Sequence, residues 1–320
     1  MIENNWQLTI RRFAAELSIA QDTMNIPAIL KPAPPWLRRH LAVKCLLGVF
    51  RRSYDQWIEY NRGATAYVDL RDPEMRNVFL KRSFEPDFFA IASAILADGG
   101  LFFDCGANFG LCTFGLIPLI ERGRLACYLF EANPYLTRYL EASRRRFPSV
   151  SIKTIEGCLA DRPGTSRFQI NPEFTGHSHT ELGGATILQN VVLDDYLEQN
   201  QIERITFLKM DLEGQELSAL RGLTKALARG AVEVIYLEVS SELLQRYGIG
   251  PEQVAEFLSN NGFRVFYCRD RDLLGREPTR VRFTRPGLNR LRLTEFRFTD
   301  DHLQTDLLAI HEAWIEKAES

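Results

Sequence analysis

The segment Asp104-Cys105-Gly106-Ala107-Asn108-Phe109-Gly110 constrains the fold more than any other stretch of the 320 residues. It follows an apolar run at 101–105 and precedes a helix-forming pattern, so it reads as a strand-to-helix turn. Gly106 permits the tight backbone turn, and Gly110, four positions on, allows close approach to a ligand or to the sheet. A strand ending in such a turn is the first unit of a βα repeat.

The rest of the chain continues that repeat. Helix is expected over 87–96, strand over 101–105, helix over about 109–122 and strand over 125–130. Asn133-Pro134 then opens a helix reaching about 147, with an N-cap side chain ahead of a proline at the first position. Strand is expected over 150–155, a short strand over 166–170, a polar glycine-containing loop over 171–184 and a short helix over 193–199. Strands at 205–210 and 232–239, helices at 215–229 and 251–260, and closing strands at 263–267 and 306–311 complete the reading. Strands joined by helices imply an α/β fold with a mostly parallel sheet and helices on both faces. Ligands in such sheets sit beyond the carboxyl ends of the strands, at the switch point. Here that points to three acids at strand tips, Asp104, Glu131 and Asp211.

Residues 1–85 are expected to form a mainly helical extension, broken by Pro32, Pro34 and Pro35, ahead of the α/β domain at 86–320. Within it, 36–52 patterns as a basic amphipathic helix of the kind that makes peripheral contact with an anionic membrane. Packing on its own protein with solvated charges is the plainer alternative. A net charge of −2 supplies no broad basic field for nucleic acid. The six cysteines are scattered without a CxxC pair, so they read as buried reduced thiols in a reducing cytoplasm. No signal peptide is read at the N-terminus, and the most apolar stretch, 88–103, is too short and too interrupted to span a bilayer. A soluble cytoplasmic protein is expected.

The glycine turn is not the dinucleotide fingerprint, which has a third glycine and a helix N-terminus aimed at a diphosphate. Asn108 stands two positions after Gly106, and Asp104 lies just ahead of it. A carboxylate there repels a diphosphate and suits the ammonium of an amino-acid-bearing cofactor, which favours S-adenosylmethionine over a nicotinamide nucleotide. Glu131, one strand later, can accept from both hydroxyls of a ribose, or it can be a solvated strand-end acid.

The run Phe207-Leu208-Lys209-Met210-Asp211-Leu212-Glu213-Gly214-Gln215-Glu216 delivers Asp211 at a strand tip, with Glu213 and Glu216 opening the next helix. Glu216 is also what a helix N-terminus favours for capping alone. Lys209, on the same strand face as Asp211, requires a partner carboxylate or an opening. His177 and His179, in the 171–184 loop, are candidate general bases. They also permit a metal reading with Asp211 or Glu213, and solvated loop histidines are the alternative to both. No metal is assigned.

Four ordered motifs carry a resemblance. They are Asp104-x-Gly106-Ala107-Asn108-x-Gly110, Phe130-Glu131-x-Asn133-Pro134, Leu193-Asp194-Asp195 and Lys209-x-Asp211-x-Glu213-Gly214-x-Glu216. Together they resemble the FkbM family of methyltransferases over roughly 85–270, with a last strand near 307–311. Cys105 departs from the apolar β-branched residue often found there. The resemblance implies a Rossmann-like methyltransferase fold, a mostly parallel seven-stranded sheet with helices on both faces. It also implies S-adenosylmethionine as donor and a hydroxyl acceptor on a sugar, glycan or natural product. Residues 1–85 and the loop at 173–184 lie outside the motifs and are where the acceptor would be chosen. The expected cofactor residues are Asp104, Gly106, Ala107, Asn108, Gly110, Glu131, Asn133 and Asp211, and His177, His179 or Asp211 would handle the acceptor proton. The rival readings are an NAD-dependent oxidoreductase on a Rossmann fold and a non-catalytic S-adenosylmethionine-binding module.

Overall fold

A computed structural model describes residues 53–61, 63–121, 123–171, 178–180, 183–268, 282–284, 287–296 and 304–316. The basic segment at 36–52 and His177 therefore lie outside the described residues. The first described elements are a hairpin, β1 (Asp55–Tyr60) and β2 (Ala64–Asp69), then α1 (Pro73–Lys81) and α2 (Pro86–Ile95). The repeat follows as β3 (Gly100–Cys105), α3 (Leu111–Leu116), β4 (Leu125–Glu131), α4 (Pro134–Arg145) and β5 (Ser151–Glu156). A small sheet is inserted next, from β6 (Cys158–Leu159), β7 (Thr165–Gln169), β8 (His179–Thr180) and β9 (Thr186–Val191). Beyond it come α5 (Leu193–Gln199), β10 (Ile205–Met210), α6 (Glu216–Arg221), α7 (Thr224–Ala228) and β11 (Val232–Ser240). The last described elements are α8 (Ser241–Gln245), α9 (Pro251–Asn260), β12 (Phe263–Tyr267), β13 (Thr294–Glu295) and β14 (Gln304–His311).

The main sheet has the order β13-β12-β14-β11-β10-β3-β4-β5. Strands β11, β10, β3, β4 and β5 pair in parallel, and β14 enters antiparallel between β11 and β12. The seven strands expected of a Rossmann-like methyltransferase sheet are all present. The two-residue β13 on the edge of β12 makes the eighth. Strand order reverses between β3 and β10, so the switch point lies at the tips carrying Asp104 and Asp211.

Alternation along the strands divides the core. Phe102, Phe207, Val234 and Tyr236 face α1, α2, α3, α4 and the hairpin, while Phe103, Leu208, Ile235 and Leu237 face α5, α6, α7 and α9. A sheet covered on both faces explains why its strands read as nearly continuous apolar runs.

The structure corrects three expectations. Residues 53–85 are not mainly helical. Ile58, Tyr60, Ala64, Ala66 and Val68 are buried at strand spacing around a turn in which Asn61 takes φ 43°. This hairpin shares the core of the sheet: the Tyr60 hydroxyl donates to the Leu111 carbonyl at 2.6 Å, and the Tyr67 N–H donates to Ser143 Oγ at 2.8 Å. The helix expected over 109–122 stops at Leu116: Ile117 keeps helical angles, but Pro118 has no N–H to donate to the ladder. The helix expected over 215–229 is two. A Cβ on Gly222 would stand 2.2 Å from the Ala160 carbonyl, so the chain passes close there, and both Asp194 oxygens cap α7 through the N–H groups of Lys225 and Ala226.

Among the described residues no helix is long and apolar enough to cross a membrane. Phe88 is the centre of the first core face, its ring 5.3 Å from Tyr236 and 6.0 Å from Phe207. Phe88→Ala is expected to cost about 3–5 kcal/mol of stability, read as a lower denaturant midpoint; a loss under about 1 kcal/mol would show that this face is not close-packed.

Candidate functional site at the strand tips

The turn after β3 is held by its neighbours. The N–H groups of Gly106 and Ala107 both donate to the Phe130 carbonyl at the end of β4, at 2.9 and 3.0 Å. The Asp211 N–H donates to the Cys105 carbonyl at 3.1 Å. Gly106 has φ 78°, and a Cβ there would fall 1.9 Å from the Asp211 carbonyl oxygen. Both its conformation and the approach of the β10 loop therefore require glycine.

Glu131 fixes the outer half of the turn. Its Oε2 accepts from the Asn108 N–H and its Oε1 from the Asn133 N–H, each at 2.7 Å. Those bonds favour the ionised carboxylate, but burial outweighs them and pushes its pKa up to about 7. Asn108 itself is left-handed, with φ 51°.

Beneath the turn lies a buried ion cluster. Lys209 Nζ stands 3.2 Å from Asp211 Oδ2 and 3.7 Å from Asp104 Oδ1. The Thr113 hydroxyl donates to Asp104 Oδ2 at 2.7 Å. Burial works against the lysine's charge, yet Asp211, Cys112 and Asp104 hold its pKa well above the ordinary value. The Asp104 pKa is raised by burial, with Lys209 and Thr113 opposing.

Above the turn, a cavity of about 430 Å³ opens between the strand tips and the small sheet. Gly106, Asn108, Glu131 and Asp211 line it, with Phe168, Ser178 and His179 from the small sheet and its loop. A smaller cavity of about 120 Å³ adjoins it at Ala107, Lys209 and Asp211. Seven carboxylates stand on the wall of the larger one: Glu74, Glu85, Glu131, Asp211, Glu213, Glu238 and Asp306. No Lys or Arg joins them among the described lining residues. Burial and the neighbouring acids Asp211 and Glu216 push Glu213 up to about 8. Burial, then Asp72 and Asp211, push Glu74 up to about 7.

The expected residues separate into three groups. Gly106, Asn108, Glu131, Asp211 and His179 meet at the larger cavity, and Ala107 reaches the smaller one. Asp104, expected to meet an ammonium directly, instead has no exposed surface and lies under the turn, facing Lys209 and Thr113. Gly110 and Asn133 are architectural. A Cβ on Gly110 would meet the Phe114 ring at 2.4 Å, and the buried Asn133 side chain caps α4 by accepting from the Tyr135 N–H at 3.1 Å. Glu216 is likewise turned inward, holding the loop ahead of α6 by accepting from the N–H groups of Leu212 and Gly214.

Sequence reading missed Glu74, Glu85, Glu238 and Asp306. Glu238 carried a signal, one of two acids, with Glu233, in a largely apolar strand; Glu74 and Glu85 reach the site only through the packing of α1 and the start of α2. Among the described residues no group of three or more His, Cys, Asp or Glu is arranged to hold a metal ion.

Residues 104–265, just over half of the chain, match the family model described as the methyltransferase FkbM domain. The hexuronic acid methyltransferase AglP of Haloferax volcanii is 24% identical over 176 residues, covering 55% of this chain and 68% of that protein. The antimetabolite synthetase AmbE of Pseudomonas aeruginosa is 27% identical over 277 residues, covering 73% of this chain and 13% of the much longer AmbE. The crystal structure of the FkbM methyltransferase from Methylobacillus flagellatus superposes with a TM-score of 0.39 at 18% identity, over 75% of this chain and 53% of that one.

The raised carboxyl groups give a pH prediction. Glu74, Glu131 and Glu216 near 7, with Glu213 and Glu238 near 8, bind more protons folded than at their ordinary value of 4.5. Stability from these groups is full below about 4.5 and is lost as pH rises toward 8. Asp69 and Glu141, whose pKa values are lowered, act oppositely but only in the acid range below that window. The Tm is expected to fall between pH 5 and pH 8, and a Tm that rises across that interval contradicts the site electrostatics.

Proposed function

The chain belongs to the FkbM methyltransferase family, and we propose that it transfers the methyl group of S-adenosylmethionine to a hydroxyl of a sugar, glycan or natural product. The observation that carries the choice of donor is the wall of the larger cavity, seven carboxylates with no Lys or Arg among its described residues. A ligand with a sulfonium and an ammonium suits such a wall, whereas the diphosphate of a nicotinamide nucleotide would be repelled. The sugar acceptor draws support from the relative whose name gives a hexuronic acid as its substrate.

In this reading Glu131 accepts from the ribose hydroxyls with the lone pairs its two backbone bonds leave open. Gly106 and Asn108 provide backbone at the turn, and Asp211, on both cavities, faces the cationic end. Asp104 acts from below by fixing Lys209, which in turn holds Asp211 and the Gly106 carbonyl. When bound, S-adenosylmethionine supplies a methyl group already activated by a positive sulfur, so the protein chiefly aligns the acceptor and takes up its proton. His179 and the small sheet form the acceptor side of the wall. A cytoplasmic location fits the buried free thiols Cys105, Cys112, Cys127, Cys158 and Cys268.

Calorimetry with S-adenosylhomocysteine tests the donor assignment. Glu131→Ala removes a charged acceptor and is expected to weaken binding about 10–100-fold with the circular dichroism spectrum retained. Unchanged affinity would remove Glu131 from the site, and tight NADH binding by the unaltered protein would favour the oxidoreductase reading.

A further inference from the structure

Three neighbouring strands bring carboxylates side by side. Glu238 on β11 is directly paired with Asp306 on β14. On its other side the β10–β11 register ends at Met210 and Leu237, so Asp211 emerges beside Glu238. Adjacent strands stand about 4.8 Å apart. The flanking acids are engaged: Asp306 Oδ2 accepts the Tyr236 hydroxyl at 2.5 Å, and Lys209 donates to Asp211 Oδ2 at 3.2 Å. Glu238 makes no side-chain hydrogen bond or ion pair among the described residues, and it lines both cavities. Its lone pairs are open toward whatever the cavities hold.

We propose that Glu238 is the catalytic base that takes the proton of the acceptor hydroxyl, flanked by Asp211 and Asp306 on the neighbouring strands. This rests on the methyl-transfer reading above. As the O–C bond forms, the C–S electron pair leaves with sulfur, and the O–H pair stays on oxygen while the proton passes to Glu238. One positive charge on sulfur and one negative charge on the carboxylate vanish together, so no further co-reactant is needed.

A carboxylate between two others is a stronger base than an isolated one. Asp211, then burial, then Asp306 push Glu238 up to about 8, with Glu213 adding and Lys209 opposing. Tyr236 on its own strand, Glu74 on α1, Glu85 before α2 and Cys112 on α3 share the smaller cavity's wall with it, and Glu131 and Cys158 share the larger one's. His179 lines only the larger cavity.

Glu238→Gln keeps the shape of the side chain and removes its charge. In infrared titration of the full-length protein without ligand, the carboxylic C=O intensity lost as pH passes about 8 should be smaller in the variant than in the wild type, because Glu213 remains and Glu238 is gone. Calorimetry should still show S-adenosylhomocysteine binding to both proteins, so that a loss of kcat at saturating donor reports the chemical step. With S-adenosylmethionine and a mixture of methyl hexopyranosides as probe acceptors, kcat is expected to fall about 10²–10⁴-fold in the variant. Glu238→Asp should recover part of that loss, and wild-type kcat should climb with pH to a plateau. A variant kcat within about threefold of wild type overturns the proposal. Failure of the wild-type protein to bind S-adenosylhomocysteine would sink the methyl-transfer reading itself, and this proposal with it.

Discussion

A buried lysine organises the centre of this molecule. Lys209 sits in a strand whose other residues are all buried, and its ammonium reaches two carboxylates and a backbone carbonyl from two different loops. Removing Lys209 would strand the fully buried Asp104 carboxylate in a low-dielectric interior, at a cost of several kcal/mol. The cluster therefore ties β3 to β10 at the point where strand order reverses. The same tie fixes the turn after β3 against the loop after β10, and the cavity opens above that seam.

Charge placement follows from this arrangement. Asp104 is spent beneath the turn as the partner of Lys209, so the carboxylates left facing the cavity belong to other strand tips and to the N-terminal elements. The hairpin brings α1 and α2 onto the first core face, and Glu74 and Glu85 reach the wall from there. A domain boundary at residue 85 would cut through this packing. The described part of the N-terminal region is a wall of the site as well as a cover for the sheet.

Much of the frame was legible along the chain because the parallel strands are covered on both faces. Strands β3, β4, β10 and β11 read as apolar runs halted by an acid or a turn, and the switch-point rule named Asp104, Glu131 and Asp211. Lys209 also announced its need for a partner. Long-range pairing was harder to read. Asp104 looked like a ligand contact because nothing local reveals that Thr113 and Lys209 enclose it. Gly110 and Asn133 occupy motif positions for packing and capping, roles that require knowing which helix approaches. The Glu238–Asp306 pair joins residues 68 positions apart through an antiparallel register set by β14, and no local pattern foretells that partner.

The proposed methyl transfer requires the acid-walled cavity at the strand tips to hold S-adenosylmethionine. A crystal structure of the full chain with S-adenosylhomocysteine tests it most directly. The account predicts density in that cavity, with both ribose hydroxyls within hydrogen-bond distance of the Glu131 carboxylate and the amino group on the Asp211 side. Density elsewhere, or a ribose turned away from Glu131, would contradict it.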